Sequence, residues 1–497
     1  MDPSITNYVI IGAGPVGLLA GLSIRDKIVS RRDESSADSY SSIKITIYER
    51  RTNISQILGE SYPIGINPRG LHALKILCHD AFKEVEKNGS VVNSFDIYSG
   101  SRNVASVACG TVLGHTRYGV TDALYQQAKK AGIDIKFGHK LIDLDASKHL
   151  LSFQIEESKN NITVDCSDTI VIAADGANSV TRRLLMAQAA ASSHLKQAYT
   201  PTRFSFTPSE TSIRVLIIDG TEKENVPLAP GSHSVYNNVY CALVGPPDDR
   251  RWRIAISVEG DQQDAELIKM ESNDPTPEDM QRLRSFIAKR VPPLKETEKY
   301  FTDDEIRSFF SRRSFSPDLF SLAPFHYPHA GGKSSENNEM NDVHPWIVFL
   351  GDSAHCVFPS MGEGMNSCLE DVLVFNESVL SPAYDKQCLP IDLAAYTKAR
   401  ESDIDALYSL ARERLLTHAG EPKLRATNII VMIASSIARK LRLIGPQMLF
   451  STEVFSYQEV YSTHLKETSL IRPFAEALVC AFFWVKSVFP PATQSRQ

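Results

Sequence analysis

Three glycines near the amino terminus have the spacing of a dinucleotide-binding turn. Gly12, Gly14 and Gly17 follow the apolar run Tyr8–Ile11 and precede a helical segment, so the order is strand, glycine turn, helix. The first glycine permits the tight bend, the second lets the backbone approach a pyrophosphate, and the third allows close helix packing. Because a helix N-terminus attracts phosphate, the spacing predicts a dinucleotide site. A glycine turn without a ligand is the alternative.

An acidic residue follows the second predicted strand. Ile43 to Tyr48 alternates as a strand does, and Glu49 comes directly after it. An acid at this position of a dinucleotide fold accepts hydrogen bonds from the adenosine ribose hydroxyls. Residues 30–42 are rich in Ser, Asp and Arg and predict a surface insertion. The insertion explains why Glu49 lies more than about 20 residues beyond Gly17. These features alone do not separate FAD from NAD.

Two downstream segments place further polar residues after apolar strands. The first, residues 175–183, begins with Asp-Gly and ends with two arginines, and the second spans residues 351–366. With the glycine turn they form three motifs in the order found in single-component flavoprotein monooxygenases. The chain therefore resembles this superfamily of FAD-dependent aromatic hydroxylases. The resemblance implies FAD in the dinucleotide site and NADPH as the electron donor.

The segment 351–366 suits the flavin end of such a cofactor. Glycines from Gly362 open a helix at Asn366, and its N-terminal amides and dipole can stabilise negative charge on a reduced flavin. The Asp352 carboxylate is suited to accept hydrogen bonds from the ribityl hydroxyls. A strand, turn and helix that occur by chance are the alternative.

Within the superfamily the chain resembles the kynurenine 3-monooxygenases over most of its length. The resemblance rests on Arg69 to Leu74, on Gly351 to Asp371 and on Leu449-Phe450 with Val454-Phe455 near the carboxyl terminus. It implies FAD contacts at Val16, Tyr48, Glu49, Arg50, Arg51, Arg117, Leu141, Asp352, Met365 and Asn366. The motif residues that complete the predicted cofactor site are Gly12, Gly14, Gly17, Asp175 and Gly364.

The predicted substrate pocket departs from that family. The family holds the amino-acid substrate with an Arg, two Tyr and an Asn, whereas an ungapped placement puts Asn93, Ala108, His418 and Phe450 at those positions. Loss of a bidentate carboxylate clamp predicts a substrate other than kynurenine, aromatic or conjugated and more apolar. If the placement shifts by a few residues, Arg102 could serve as an anion clamp. Pro359, just before the glycines, is expected to shape the pocket.

The resemblance also implies a reaction. NADPH reduces the flavin, molecular oxygen adds at its C4a carbon, and the hydroperoxide gives one oxygen atom to an aromatic ring or a double bond, so the product is hydroxylated or epoxidised. This chemistry needs few protein acids or bases, and no general base is assigned.

Three other functions are alternatives to this one. A true kynurenine 3-monooxygenase and a flavin-binding regulator without activity both remain open. A flavin halogenase is disfavoured, because Trp252 to Ile256 lacks the second Trp and the Pro of the W-x-W-x-I-P motif.

The elements needed to position these residues indicate an α/β fold. We expect a Rossmann-like FAD-binding domain interleaved with a β-sheet substrate domain, plus a helical carboxyl-terminal region. The FAD-binding domain is assigned to residues 1–194 and 344–385, the substrate domain to 195–343, and the helical region to 386–497. A helix is expected over residues 69–82.

Composition excludes several other classes. The 497 residues are 42% hydrophobic with a net charge of −6, which suits a folded chain and gives no basic surface for nucleic acid. Eight cysteines form no C-x-x-C pair, so neither a metal site nor a disulfide framework is predicted, and a reducing compartment is expected. The amino terminus shows no signal or transit pattern.

Two apolar stretches lie near the carboxyl terminus. Residues 428–438 precede the basic cluster 439–442, and a second stretch covers residues 474–489. Both are shorter than the roughly 20 residues of a spanning helix. They favour an intracellular protein attached peripherally to a membrane through interfacial helices. Helices that pack on the catalytic body are the open alternative.

Overall fold

The fold is seen in a computed structural model that describes residues 7–34, 43–55, 62–191, 196, 199–209, 211–218, 225–236, 238–258, 264–315, 318–328, 345–385, 391–419, 421–445, 448, 451 and 453–488. The strands in these ranges are β1 (Asn7–Ile11), β2 (Lys44–Tyr48), β3 (Ile64–Ile66), β4 (Ser90–Ser99), β5 (Arg102–His115), β6 (Asp134–Lys136), β7 (His139–Asp145), β8 (Leu150–Ile155), β9 (Asn161–Asp165), β10 (Thr169–Ala173), β11 (Arg203–Thr207), β12 (Ser212–Ile218), β13 (Ser232–Tyr236), β14 (Val239–Val244), β15 (Arg251–Val258), β16 (Leu319–Ala323), β17 (His326–Tyr327), β18 (Ile347–Phe349) and β19 (His355–Cys356).

The same ranges contain helices α1 (Pro15–Glu34), α2 (Pro68–Leu77), α3 (His79–Asn88), α4 (Arg117–Lys130), α5 (Val180–Ala191), α6 (Ala265–Lys269), α7 (Pro277–Arg290), α8 (Thr297–Tyr300), α9 (Asp303–Ser311), α10 (Gly364–Phe375), α11 (Ser381–Asp385), α12 (Ala394–Ala419), α13 (Pro422–Lys440), α14 (Tyr457–Ser469) and α15 (Arg472–Val488). A π-helical turn, Asn376–Leu380, joins α10 to α11.

A six-stranded sheet in the order β17-β18-β10-β1-β2-β6 forms the centre of the fold. All neighbours except β17 and β18 are parallel, and β1, β10 and β18 are almost entirely buried. Strands buried on both faces require continuous apolar runs, which their sequences supply. Parallel pairing places the carboxyl ends of β1, β2, β10 and β18 at one edge of the sheet. Ligands of doubly wound folds bind outside this edge.

A second sheet has seven strands in the order β12-β15-β14-β13-β4-β5-β3. One face packs against α6, α7 and α9 in an apolar cluster that includes Trp252 and Phe309. β4 pairs in parallel with β13, so residues 90–115 join a sheet whose other large strands belong to residues 212–258. Residues of this sheet are therefore not confined to the segment 195–343, and the division into domains stays a prediction.

Two element predictions were wrong in detail. α1 continues to Glu34, so the start of the predicted insertion is helical, and residues 35–42 lie outside the described ranges. The expected helix over residues 69–82 is two helices that meet at Cys78, whose φ of −156° and ψ of 83° are not helical. The segment expected to be β-rich also contains α6 to α9.

The carboxyl-terminal helices pack on one another and on the central body. α12 contacts α10, α13 and α14, and α13 lies against α15. Within the described residues no helix combines the length and apolar character needed to cross a membrane.

Candidate active site

The three glycines of the amino-terminal turn differ in what requires them. Gly12 has a φ of +105°, and a Cβ there would come within 2.5 Å of the Ala174 carbonyl oxygen. A Cβ on Gly17 would collide with the Gly12 carbonyl oxygen. A Cβ on Gly14 would meet only the Arg117 guanidinium, at 3.8 Å. The fold therefore requires Gly12 and Gly17, whereas the space above Gly14 is free for a ligand.

Glu49 ties the turn to the end of β2. Its Oε2 accepts a hydrogen bond from the Ala13 amide at 2.7 Å, and its Oε1 accepts from the backbone N and the Nε of Arg51, both at 2.9 Å. Burial opposes ionisation of this carboxyl, but the bonds from Arg51 and Ala13 outweigh burial and lower its pKa. Glu49 is thus an anion held at the position where a ribose acceptor is predicted.

Of the other predicted site residues near Glu49, some pack in the core and one is exposed to solvent. Tyr48 stacks on Phe153 with a ring separation of 4.2 Å, and Leu141 is buried in the main core. Arg50 is exposed at the same edge. Tyr48 and Leu141 are therefore packed against the core, whereas Arg50 is a surface cation.

Arg117 lies beside the glycine turn, and Asp352 lies within electrostatic range of Arg117. Arg117 is the first residue of α4, where Thr116 caps the helix by accepting from the Gly119 amide, and its side chain is exposed next to Gly14. Asp352 follows β18, and its Oδ1 accepts from the Cys368 thiol at 3.3 Å. Burial raises the pKa of the Asp352 carboxyl, and the nearby Arg117 charge opposes the shift. Hydroxyl donors from a ligand would relieve this desolvation.

Asp175 offers a second buried acceptor at the carboxyl edge of the sheet. Its Oδ2 accepts from the amide and the hydroxyl of Thr181, both at 3.0 Å, and so caps α5. Its Oδ1 is buried without a hydrogen-bond partner among the described residues. An orphaned acceptor beside the glycine turn fits a site that a polar ligand completes.

The start of α10 presents backbone rather than side chains. Asn366 donates through Nδ2 to the carbonyls of Gly65 at 2.9 Å and Gly362 at 2.7 Å, and its Oδ1 accepts from the Asn67 amide at 3.0 Å. This side chain is fully used within the protein. Gly364 and Met365 are half-buried at the first turn. Any ligand contact from Asn366 would therefore come from its backbone.

Sequence reasoning missed a buried ionic network that lies next to the turn carrying Asp352 and the start of α10. Asp371 accepts hydrogen bonds from the Gly351 amide at 2.8 Å, from His355 Nε2 at 2.6 Å and from Arg400 Nε at 2.8 Å. Arg400 also contacts Glu370. These bonds hold the turn that carries Asp352. Adjacent carboxylates at 370 and 371 in an otherwise uncharged helix were the available signal.

The network extends to the carboxyl-terminal helices through Glu363. This carboxylate accepts from Asn67 Nδ2 at 2.8 Å and from the Tyr457 hydroxyl at 2.7 Å, and Arg69 lies 3.8 Å away. Arg69 also binds Glu370 and stacks over the Tyr457 ring. Burial raises the pKa of Glu363 to about 7 in spite of Arg69.

The predicted substrate residues are placed only in part. Asn93 is exposed in β4, where its backbone N–H donates to the Gly231 carbonyl. Pro359 begins a short turn that ends at Gly362, whose φ is +68°. Arg102 lies exposed at the distal end of the β4–β5 hairpin. Phe450 and the side chain of His418 lie outside the described residues.

Comparison with known proteins matches this architecture. The family described as FAD binding domain matches residues 79–402. Kynurenine 3-monooxygenase of Saccharomyces cerevisiae is 24% identical over 426 residues, which cover 82% of this chain and 80% of the yeast protein. The enzyme of the same name from Phaeosphaeria nodorum is 24% identical over 498 residues and covers 93% of this chain and 89% of its own.

Solved structures share the fold at low identity. p-Nitrophenol 4-monooxygenase from Pseudomonas putida matches with a TM-score of 0.59 and 14% identity over 93% of this chain and 98% of its own. Klebsiella pneumoniae HpxO, whose structure was solved in complex with FAD, matches with a TM-score of 0.56 and 15% identity. The match covers 93% of this chain and 98% of HpxO.

Proposed function

Because this chain belongs to the FAD-binding family of the FAD-dependent aromatic hydroxylases, we propose that it is a monooxygenase that takes electrons from NADPH and adds one oxygen atom to an aromatic or conjugated small molecule. One observation carries the proposal. The ends of β1, β2, β10 and β18 bring Gly12, Glu49, Asp175 and Asp352 to one edge, beside the open space over Gly14.

The residues at this edge fit FAD group by group. Glu49 suits the adenosine ribose, the Gly14 backbone and Arg117 suit the pyrophosphate, and Asp352 suits the ribityl chain. When bound, FAD supplies electron transfer and oxygen activation. The protein orients the substrate and keeps water from the reacting atoms.

The substrate is proposed to be more apolar than kynurenine. Asn93 replaces an Arg of the family clamp, and an amide cannot form the paired, charged hydrogen bonds that a guanidinium makes with a carboxylate. A true kynurenine 3-monooxygenase is the second candidate, because the curated relatives carry that name at 22–24% identity.

A substrate panel tests both candidates. NADPH and NADH consumption and product mass are measured with kynurenine, simple phenols and polyenes. Oxygen incorporation into a phenol or polyene, tightly coupled to NADPH use, supports the proposal. Tight coupling with kynurenine alone identifies the second candidate. Flavin reduction without any oxygenated product in the panel favours a regulator. Stopped-flow detection of a C4a adduct that decays faster with a particular compound favours an enzyme.

We also propose that the carboxyl-terminal helices attach the protein to a membrane surface. Exposed apolar side chains recur every fourth residue on two packed helices, at Ile429, Ile433 and Ile437 of α13 and at Phe474, Leu478 and Phe482 of α15. Exposed basic residues, Arg425 and Arg442, lie near these stripes in the sequence. Apolar surface next to cations suits the boundary between acyl chains and anionic headgroups.

A further inference from the structure

A polar pair that sequence reasoning did not select lies buried in the seven-stranded sheet. His233 on β13 is 1% exposed, and its Nδ1 shares a hydrogen bond with the hydroxyl of Tyr240 on β14. The rings of Phe95 and His233 pack edge to face, with their centroids 5.4 Å apart. Nε2 of His233 has no hydrogen-bond partner among the described residues. A buried nitrogen without a partner marks a place that a ligand atom can satisfy.

Strand register assigns the pair to the sheet face opposite α6 to α9. His233 pairs with Phe95, Val235 pairs with Tyr240, and Tyr240 pairs with Ala255. Because alternate residues of a strand share a face, His233 and Tyr240 lie on the face of Ala255. That face carries a separate apolar cluster, formed by Ile213, Val215, Ile217 and Ala255 with Tyr62, Tyr240 and Phe315.

This face leads to the proposed cofactor site by two routes. Nε2 of His233 lies 3.1 Å from where a Cβ on Gly114 would be, and Gly114 pairs with Gly65, whose carbonyl accepts from Asn366 at the start of α10. On the other route, Tyr62 packs in the same apolar cluster as Tyr240 and lies within electrostatic range of Asp352 and Arg117. The imidazole is therefore connected to the proposed flavin end through Gly114 and Gly65.

The pair is electrically neutral near pH 7. Burial lowers the pKa of His233 to about 3, and burial likewise raises the pKa of Tyr240 well above its usual value. With Nδ1 occupied by Tyr240, a neutral imidazole has one remaining nitrogen, which donates or accepts a single hydrogen bond according to its tautomer. A carboxylate would be poorly matched to such a group in an apolar wall. A hydroxyl or carbonyl oxygen matches it.

We propose that His233, oriented by Tyr240, binds a neutral hydroxyl or carbonyl oxygen of the substrate and so selects uncharged oxygen-bearing aromatic or conjugated molecules. The inference rests on the proposed monooxygenase function. Phe95 and the Ile213 cluster would contact the apolar part of the molecule.

The test measures binding to the oxidised FAD-loaded protein, so turnover is not needed. Dissociation constants for 2-naphthol, naphthalene and 2-naphthoate are obtained from the change in flavin absorbance. Wild type should bind 2-naphthol about fivefold more tightly than naphthalene, the effect of one neutral hydrogen bond, and should bind 2-naphthoate most weakly. His233→Phe should equalise naphthol and naphthalene. His233→Gln, which offers an amide near the Nε2 position, should restore part of the preference.

Controls separate this proposal from a folding defect and from the proposed function. Tyr240→Phe should reduce the naphthol preference, while Ser234→Ala, on the opposite face of β13, should leave it unchanged. FAD content and thermal unfolding report whether each variant is folded. An unchanged naphthol preference in folded His233→Phe, or no binding of any neutral probe by wild type, overturns the proposal. Failure of the proposed function would appear instead as NADPH oxidation without oxygenated product.

Discussion

At the residue scale, a substitution at Gly14 can test ligand binding apart from folding, which a substitution at Gly12 or Gly17 cannot. A side chain at Gly12 or Gly17 would collide with backbone, whereas one at Gly14 would meet only the end of the Arg117 side chain. The same glycine pattern therefore contains two positions that the fold requires and one, Gly14, that it does not.

We expect Gly14→Val to lose FAD binding while it keeps its fold. A branched side chain would fill the space where the pyrophosphate approaches the backbone, and the dissociation constant for FAD should rise on the order of 100-fold, which corresponds to about 2.7 kcal/mol. Fluorescence titration of the apoprotein measures this change. Gly17→Val is the matched control and should lower the unfolding temperature of the apoprotein, which Gly14→Val should leave unchanged. Normal FAD affinity in Gly14→Val would show that the cofactor does not approach this turn.

The site residues that sequence reasoning reached are those with local signatures. Gly12, Glu49, Asp175 and Asp352 each follow a strand, and parallel pairing alone brings such residues together. The Arg69–Glu370 contact joins residues 301 positions apart, and the His233–Tyr240 pair depends on strand register. Neither depends on a local pattern, so neither could be predicted from spacing.

At the element scale, the first turn of α10 is held by α2 and by α14. Glu363 precedes α10 and accepts from Asn67 at the cap of α2 and from Tyr457 in α14. One carboxylate thus joins the glycine-rich loop to a helix 94 residues later. The parallel strands around β1 were predictable because each is a buried apolar run, but this junction and the β4–β13 pairing depend on tertiary contacts.

Stability should depend on pH through Glu363. The pKa of this group rises from 4.5 to about 7 on folding, because burial disfavours its charge. Between these values the native state keeps a proton that the unfolded state releases, so stability falls as pH rises through this window. Glu363→Gln lacks this dependence, and its free energy of unfolding relative to wild type should increase by about 1–3 kcal/mol from pH 5 to pH 8.

Urea unfolding of both proteins across this pH range measures the effect. Glu84→Gln on α3, which removes an exposed carboxyl, is measured in parallel as the control. A difference between Glu363→Gln and wild type that stays constant with pH would mean that Glu363 is ionised throughout.

At the scale of the whole molecule, buried apolar surface and exposed apolar surface are separated along the chain. The main core joins the parallel sheet to α10 and α12, whereas many of the large exposed apolar side chains belong to α13, α15 and the segments beside them. Soluble monomers rarely expose large contiguous apolar patches without a partner. Ile433, at 51% exposure, is the middle residue of the α13 stripe, and Phe482, at 61%, is the last residue of the α15 stripe.

We expect the protein to float with vesicles of phosphatidylcholine and phosphatidylserine in a density gradient. Ile433→Glu combined with Phe482→Glu should keep it in the soluble fraction, because charged side chains resist transfer into the acyl region. FAD content should not change, since neither residue belongs to the proposed cofactor site. Ile76→Glu is the matched control, because Ile76 is 60% exposed on α2 and lies outside both stripes. If the double variant floats as the wild type does, or if the wild type itself stays in the soluble fraction, this apolar surface would be assigned to a protein partner instead. An apolar substrate would then have to reach the sheet face from solution.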